Sequence, residues 1–151
     1  MDGLTASIPP GAVVGIDTVI FIYLEAVANY HDAVLDFFEL LGQGVFAGVT
    51  SVITLMEIAV GPLQAGRLGI VRDYELRLLT YPHLTVRAIN HRIARRAVEL
   101  RAHYRLRPAD SLQVATALTS GASIFLTNDR MLTRVAELRV LLLDDFNPTS
   151  E

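Results

Sequence analysis

Two carboxylates lie in apolar stretches of the chain, far in sequence from any other charge. Asp17 lies in VVGIDTVIFIYL and is the only charged residue between Asp2 and Glu25. Glu57 lies in SVITLMEIAVG, and no other charged residue occurs from position 40 to position 66. We expect both acids to be buried. Because burial of an unpaired carboxylate costs several kcal/mol, each then needs a proton, a charged partner or a bound cation.

Two further carboxylates stand where helices are predicted to start. Asp110 follows Pro108 in RPADSLQVATAL, Asp129 follows the apolar segment SIFLT, and no charged residue lies between these two acids. An aspartate at a helix start often caps the helix, so either acid has this simpler structural explanation. Asp17 alone would similarly fit a strand-to-helix turn. An acid in the middle of an apolar helix, such as Glu57, caps nothing, and the four acids together favour one shared site.

A shared divalent cation would satisfy all four acids at once. The set offers only oxygen ligands, with no Cys in the chain and no His at ligand spacing, which suits Mg²⁺ or Mn²⁺ better than zinc or copper. Such an ion polarises a phosphoryl oxygen and lowers the pKa of bound water, and a second ion could stabilise the leaving oxygen. The pattern predicts phosphodiester hydrolysis, with these metal ligands and catalytic residues: Asp17, Glu57, Asp110 and Asp129.

Polar side chains near the acids are candidates to orient the ligands or a water molecule. They are Thr18, Ser51, Thr54, Thr127 and Asn128. Arg130 directly follows Asp129 and is a candidate contact for a substrate phosphate, although an Arg beside an acid also fits simple charge pairing.

The elements that must position these residues follow from hydrophobic periodicity. Five short apolar segments with almost no polar alternation predict parallel strands covered on both faces. These segments are 13–16, 45–49, 84–86, 123–126 and 140–143. Between them, apolar residues recur at helical spacing, as in Val34, Phe37, Phe38 and Leu41 and again from 89 to 104. Pro108 stands where the helix carrying Asp110 should begin.

Alternating strands and helices with short connections predict one α/β domain over residues 1–151, with its core from about 13 to 145. We expect a three-layer sandwich, in which helices flank a central parallel β-sheet. Each acid follows a strand or lies in the first turns of the next helix. Because sites in such folds form at the carboxyl ends of the strands, all four acids should face one edge of the sheet.

Composition narrows the possible functions. A chain of 151 residues with 52% hydrophobic and 19% charged residues should fold as a single domain. No segment is long and apolar enough to span a bilayer and the start does not resemble a signal peptide, so we expect a cytoplasmic protein with no membrane contact. The formal net charge of −3 gives no global attraction to nucleic acid. All 13 Lys and Arg residues are Arg, which excludes P-loop, Schiff-base and receiver-domain chemistry that needs a lysine.

Four segments of the chain resemble the motif blocks of PIN-domain nucleases in order and spacing, and in particular those of VapC toxins. The segments are DTVIFIYLE, TSVITLMEIAVGP, RPADSLQVATAL and LTNDRML, and the resemblance extends from Val13 to Asp145. It implies that the family's metal-binding acids are Asp17, Glu57, Asp110 and Asp129. One departure is Val19, where many members of the family carry Asn or Ser.

The resemblance also implies a biochemical role. Members of this family are Mg²⁺- or Mn²⁺-dependent endonucleases acting on RNA, and VapC toxins often form homodimers and are inhibited by a small antitoxin protein. Two alternatives stay open: a PIN-fold module that binds RNA or protein without turnover, and a phosphatase acting on small phosphate esters. The RNA target is not readable from these motifs, because target choice depends on surface shape.

Overall fold

Five parallel strands form the centre of the molecule. The computed structural model describes residues 3–25 and 29–146. The strands are β1 (Val13–Ile16), β2 (Ala47–Ser51), β3 (Leu84–Arg87), β4 (Ile124–Thr127) and β5 (Arg139–Leu142). They lie in the order β3-β2-β1-β4-β5, and all four neighbouring pairs are parallel. The chain order therefore reverses direction between β1 and β4, and open parallel sheets bind ligands in the crevice at such a point.

Helices cover both faces of this sheet. They are α1 (Thr18–Glu25), α2 (His31–Gly42), α3 (Val52–Gln64), α4 (Leu68–Thr80), α5 (His91–Tyr104) and α6 (Pro108–Thr119). Short 3-10 segments occupy Thr5–Ser7, Arg130–Arg134 and Leu143–Phe146. The α/β sandwich with a parallel sheet that the sequence predicts is thus confirmed.

The hydrophobic core lies in two layers because successive strand side chains point to opposite faces. Val14 and Ile16 of β1 pack with α1 and α2, whereas Phe125 of β4 packs with α5 and α6. Gly15 allows α6 to approach β1 closely, since a Cβ at this position would lie 2.5 Å from Cβ of Ala117. This contact fixes α6, and with it Asp110, against the central strand.

Several predicted boundaries shift for local reasons. Strand β2 begins at Ala47 instead of position 45, because the Val45 carbonyl accepts a hydrogen bond of 2.8 Å from Gly11 in a loop. Helix α5 begins at His91, because the Asn90 side chain caps it by accepting from the Ile93 N–H at 2.9 Å. Within the described part of the chain, no helix is long and apolar enough to cross a membrane.

Candidate active site

Asp17 occupies the centre of the reversal in strand order. It follows β1 directly, and its backbone N–H donates to the Leu126 carbonyl of β4 at 3.0 Å. Its side chain is only 9% exposed, as the sequence predicts. The Thr18 backbone N–H donates to Oδ1 at 2.8 Å, and the Thr127 hydroxyl donates to Oδ2 at 2.7 Å. The carboxylate is therefore held in one orientation at the carboxyl ends of two adjacent strands.

The surroundings of Asp17 disfavour its negative charge. Its pKa is raised from 3.8 to about 6, mainly by burial and to a smaller extent by the nearby charges of Asp110 and Glu57, against the two hydrogen bonds that lower it. These influences place three of the predicted acids within electrostatic reach of one another. A buried carboxylate beside two other acids is stabilised in its charged form by a cation.

Glu57 lies near the same edge but is exposed, so the expectation of burial is wrong for this residue. Helix α3 buries only Thr54 completely, and it leaves Met56, Val60 and Leu63 59%, 49% and 56% exposed. Its apolar composition therefore does not reflect burial on all sides. The Thr18 hydroxyl donates to Oε1 of Glu57 at 2.9 Å, which ties the acid to the residue that follows Asp17.

Asp110 and Asp129 share one cationic partner, Arg107. Its Nε lies 3.0 Å from Oδ2 of Asp110, and its terminal nitrogen lies 3.3 Å from Oδ2 of Asp129. The hydrogen bond and charge of Asp110 raise the pKa of Arg107, and the Asp129 charge adds to this effect. The Asp129 side chain also caps the following 3-10 segment by accepting from the Met131 N–H at 2.9 Å. The capping explanation thus applies to Asp129, whereas no side chain caps α6.

The four acids face one edge of the sheet without forming a finished set of ligands. Among the described residues, no group of three or more His, Asp or Glu side chains is arranged to hold a metal ion. Two observations nonetheless fit a divalent cation at this edge. The donors are all carboxylate oxygens, and the Arg107 guanidinium already acts as a positive partner between two of them.

A buried network of hydroxyls lies beneath the acids. The predicted members are all buried: Thr18, Ser51, Thr54 and Thr127. Two further buried members, Thr50 and Gln113, were not predicted from the sequence. Gln113 contacts Thr18, Thr54 and Ser51 at 3.0, 2.8 and 2.7 Å. The sequence does indicate Gln113, because it is the only amide side chain in the apolar segment LQVATAL.

Two predicted residues lie apart from this network. The Asn128 side chain accepts from the Asp144 N–H at 3.0 Å and donates toward Tyr23 and Asp144, so it joins β4 to the last 3-10 segment. Arg130 is exposed, and its side chain takes part in none of the hydrogen bonds or ion pairs found in the described part of the chain. Arg107, three positions before Asp110, makes the contacts to the acids instead.

A large groove opens beside Glu57, between helices α1, α2, α3 and α4. Its volume is about 890 Å³ and its lining is mainly apolar, with Leu35 and Ile22 left 47% and 45% exposed. The charged residues that line it are Glu25, Glu39, Glu57 and Arg77. Arg77 pairs with Glu25 at 2.6 Å, so the net charge along the groove is negative.

Comparison with known proteins agrees with this architecture. The sequence profile of the PIN domain matches residues 14–138. The structure of VapBC2 from Rickettsia felis bound to a promoter DNA fragment superposes with a TM-score of 0.68 at 18% identity, over 86% of this chain and 98% of the other. A toxin–antitoxin complex from Klebsiella pneumoniae gives 0.64 at 23% identity, over 88% and 98%. No curated protein sequence matches the chain.

Proposed function

Because the chain belongs to the PIN domain family, we propose that it is a Mg²⁺- or Mn²⁺-dependent endoribonuclease and the toxin of a toxin–antitoxin pair. The observation that carries the proposal is the buried Asp17 at the reversal in strand order, with the charges of Glu57 and Asp110 in reach. This placement suits a hard cation and a phosphate ester.

The residues of the site have different roles in the proposed hydrolysis. Asp17, Glu57, Asp110 and Asp129 would hold the ion, which when bound supplies Lewis-acid activation of water and neutralises charge on the scissile phosphate. Thr127 and the Thr18 N–H keep Asp17 in a fixed orientation, so that its carboxylate needs no reorganisation when substrate arrives. Ser51 and Thr54 support Glu57 from the buried side through Thr18 and Gln113. Arg130 is an exposed candidate for contact with the phosphate backbone, and Asn128 stabilises the loop that leads to Asp129.

Cleavage of a mixed pool of single-stranded RNA tests the activity. The purified protein is assayed with EDTA, Mg²⁺ or Mn²⁺, beside Asp17→Asn and beside Asp73→Asn, which removes an exposed acid on α4 far in sequence from the site. We expect metal-dependent cleavage that Asp17→Asn abolishes and Asp73→Asn retains. A folded wild-type protein that cuts RNA under no condition would instead favour a binding module without turnover, and hydrolysis of a small phosphate ester without RNA cleavage would favour a phosphatase.

The groove beside Glu57 is the proposed docking site of the antitoxin. The similar structure from Klebsiella pneumoniae is a toxin–antitoxin complex, so a protein partner is the expected occupant. The lining predicts its chemistry: apolar side chains to cover Leu35 and Ile22, and a basic residue to face Glu39 and Glu57. The homodimer that the sequence predicts stays a prediction, which sedimentation of the purified chain would test.

A further inference from the structure

Among residues 3–25 and 29–146, only Gln113 contacts three of the buried hydroxyls beneath the acids. It lies on α6, is 3% exposed, and joins Ser51 at the end of β2 to Thr54 of α3 and Thr18 of α1. Its three polar contacts use both amide protons and the amide oxygen. A buried amide that is satisfied in this way restricts the direction in which each neighbouring hydroxyl can point.

The proton directions can be assigned one after another. The Thr50 hydroxyl donates to the Ile16 carbonyl at 3.0 Å, which uses its only proton. In the contact of 2.8 Å between Thr50 and Thr54, the donor must therefore be Thr54. With the Thr54 proton used, the Thr18 hydroxyl is left to donate either to Thr54 at 3.1 Å or to Glu57 at 2.9 Å, and the carboxylate is the stronger, charge-assisted acceptor.

The opposite orientation of the Gln113 amide does not fit. If Oε1 faced Thr18 and Thr54, the contacts at 3.0 and 2.8 Å would each need a proton from these hydroxyls. Both protons are already required, one at Thr50 and one at Glu57. Two further oxygen–oxygen contacts would then be left without a proton, in addition to that of Thr18 with Thr54 at 3.1 Å, so the amide nitrogen must face the two threonines.

We infer that Gln113 is a positioning residue of the active site, which holds the Thr18 hydroxyl as a donor to Glu57 and so fixes that exposed carboxylate for a cation. Both amide protons of Gln113 fill acceptor positions on Thr18 and Thr54, and Thr18 is left to donate outward. Without this amide, the Thr18 proton can turn to the Thr54 oxygen at 3.1 Å instead of to Glu57, which then loses its fixed partner. The inference rests on the proposed function only for the presence of the metal.

Mn²⁺ titration of four variants separates a positioning role from a merely structural one. Gln113→Met keeps the side-chain length without the amide, Thr18→Val removes the donor to Glu57, and the double variant tests whether one acts through the other. Thr116→Val is the control, because it removes a fully buried hydroxyl on α6 that bonds only its own helix at the Leu112 carbonyl.

We expect Gln113→Met and Thr18→Val each to weaken Mn²⁺ binding about tenfold or more, as losses of ligand-supporting hydrogen bonds do. The double variant should lose no more than either single variant, because residues that act in one chain are not additive. Thr116→Val should bind as the wild type does, even if its melting temperature falls. Equal Mn²⁺ affinity in Gln113→Met and Thr116→Val would overturn the inference.

NMR of the Glu57 side chain keeps the inference separate from the proposed function. If the wild type binds no Mn²⁺, the proposed metal-dependent function is wrong, and the Glu57 signals alone then test whether Gln113 is a positioning residue. A Glu57 side chain held in one rotamer in the wild type and averaged among rotamers in Gln113→Met would support the positioning role. Identical Glu57 signals in the two proteins would overturn it.

Discussion

The Thr127 hydroxyl donates a 2.7 Å hydrogen bond to the Asp17 carboxylate across 110 positions of sequence. It thereby joins the end of β4 to the end of β1, where the strand order reverses. The same hydroxyl accepts from the Asp129 N–H at 3.1 Å. One buried side chain thus sets the positions of two of the four acids.

Replacing Thr127 with Val should weaken metal binding below pH 7. The Thr127 hydrogen bond lowers the pKa of Asp17, so its loss should raise that pKa further above about 6 and leave less carboxylate ionised. We expect the pH midpoint of Mn²⁺ binding to move upward, while Thr127→Ser, which keeps the hydroxyl, stays near the wild type. The midpoint is measured by Mn²⁺ titration from pH 5 to pH 8, and an unchanged midpoint in Thr127→Val would contradict the role of this bond.

Asp17→Asn should abolish function and yet stabilise the protein above pH 6. The folded pKa of Asp17 is raised, so the unfolded chain ionises first, and wild-type stability falls as the pH rises from about 4 to about 6 and then levels. The rise from 3.8 to about 6 corresponds to about 3 kcal/mol, which is the upper limit of the gain in Asp17→Asn. Urea unfolding in EDTA at pH 4 and pH 7.5 measures the difference, and a variant less stable at pH 7.5 would show that existing partners already compensate the charge.

The sequence predicts the sheet and the edge at which the acids meet, because both depend on local patterns. Uninterrupted apolar runs such as VVGI and IFLT are typical of strands buried on both faces, and Asp17 and Asp129 stand one and two residues after these two strands. The boundary of β2 was displaced because the Val45 carbonyl bonds to Gly11. That bond joins residues more than thirty positions apart, and periodicity does not encode such contacts.

The exposure of Glu57 and the roles of Arg107 and Gln113 were not predicted, for a related reason. An apolar helix is usually buried, but α3 leaves Glu57 exposed beside the groove, which α1, α2 and α4 also line. Arg107 stands three positions before Asp110, a spacing that does suggest an ion pair, but its second contact with Asp129 depends on how α6 meets β4. Hydrogen-bond and ion-pair partners that depend on tertiary packing cannot be predicted from local sequence patterns.

Gly15→Ala should destabilise the fold, because an added Cβ would lie 2.5 Å from Ala117 and 2.7 Å from the Phe125 ring. Overpacking of this kind costs about 1–3 kcal/mol, and relief would require α6 to move away from β1. Gly61→Ala is the matched control, since nothing lies within 4 Å of its Cβ position in α3, and it should gain about 0.5–1 kcal/mol. Chemical denaturation measures both, and equal stabilities would contradict the close packing of α6 on β1.

Leu35→Glu should prevent binding of the proposed antitoxin without unfolding the chain. Leu35 lines the groove and is 47% exposed, so the partner would have to bury the new carboxylate against the apolar side chains that cover this position, while little of the core is disturbed. Val98→Glu is the control, because Val98 is 66% exposed on α5 and does not line the groove. Each variant is co-expressed with the proposed antitoxin, and complex formation is measured by size-exclusion chromatography. A Leu35→Glu protein that still forms the complex would place the partner elsewhere.

Arg107→Gln should strengthen metal binding, because a divalent cation at Asp110 and Asp129 must displace the guanidinium that bridges them. The Arg107 side chain is 78% exposed, so solvent screens its ion pairs, and their loss should barely change the melting temperature without metal. We expect a severalfold higher Mn²⁺ affinity by calorimetry. Arg130→Gln removes an equally positive, exposed side chain that makes no contact with these acids, and it should leave the affinity unchanged. An equal gain in Mn²⁺ affinity in the two variants would indicate a general charge effect. Weaker Mn²⁺ binding by Arg107→Gln would mean that the guanidinium orients the two carboxylates for the ion instead of competing with it.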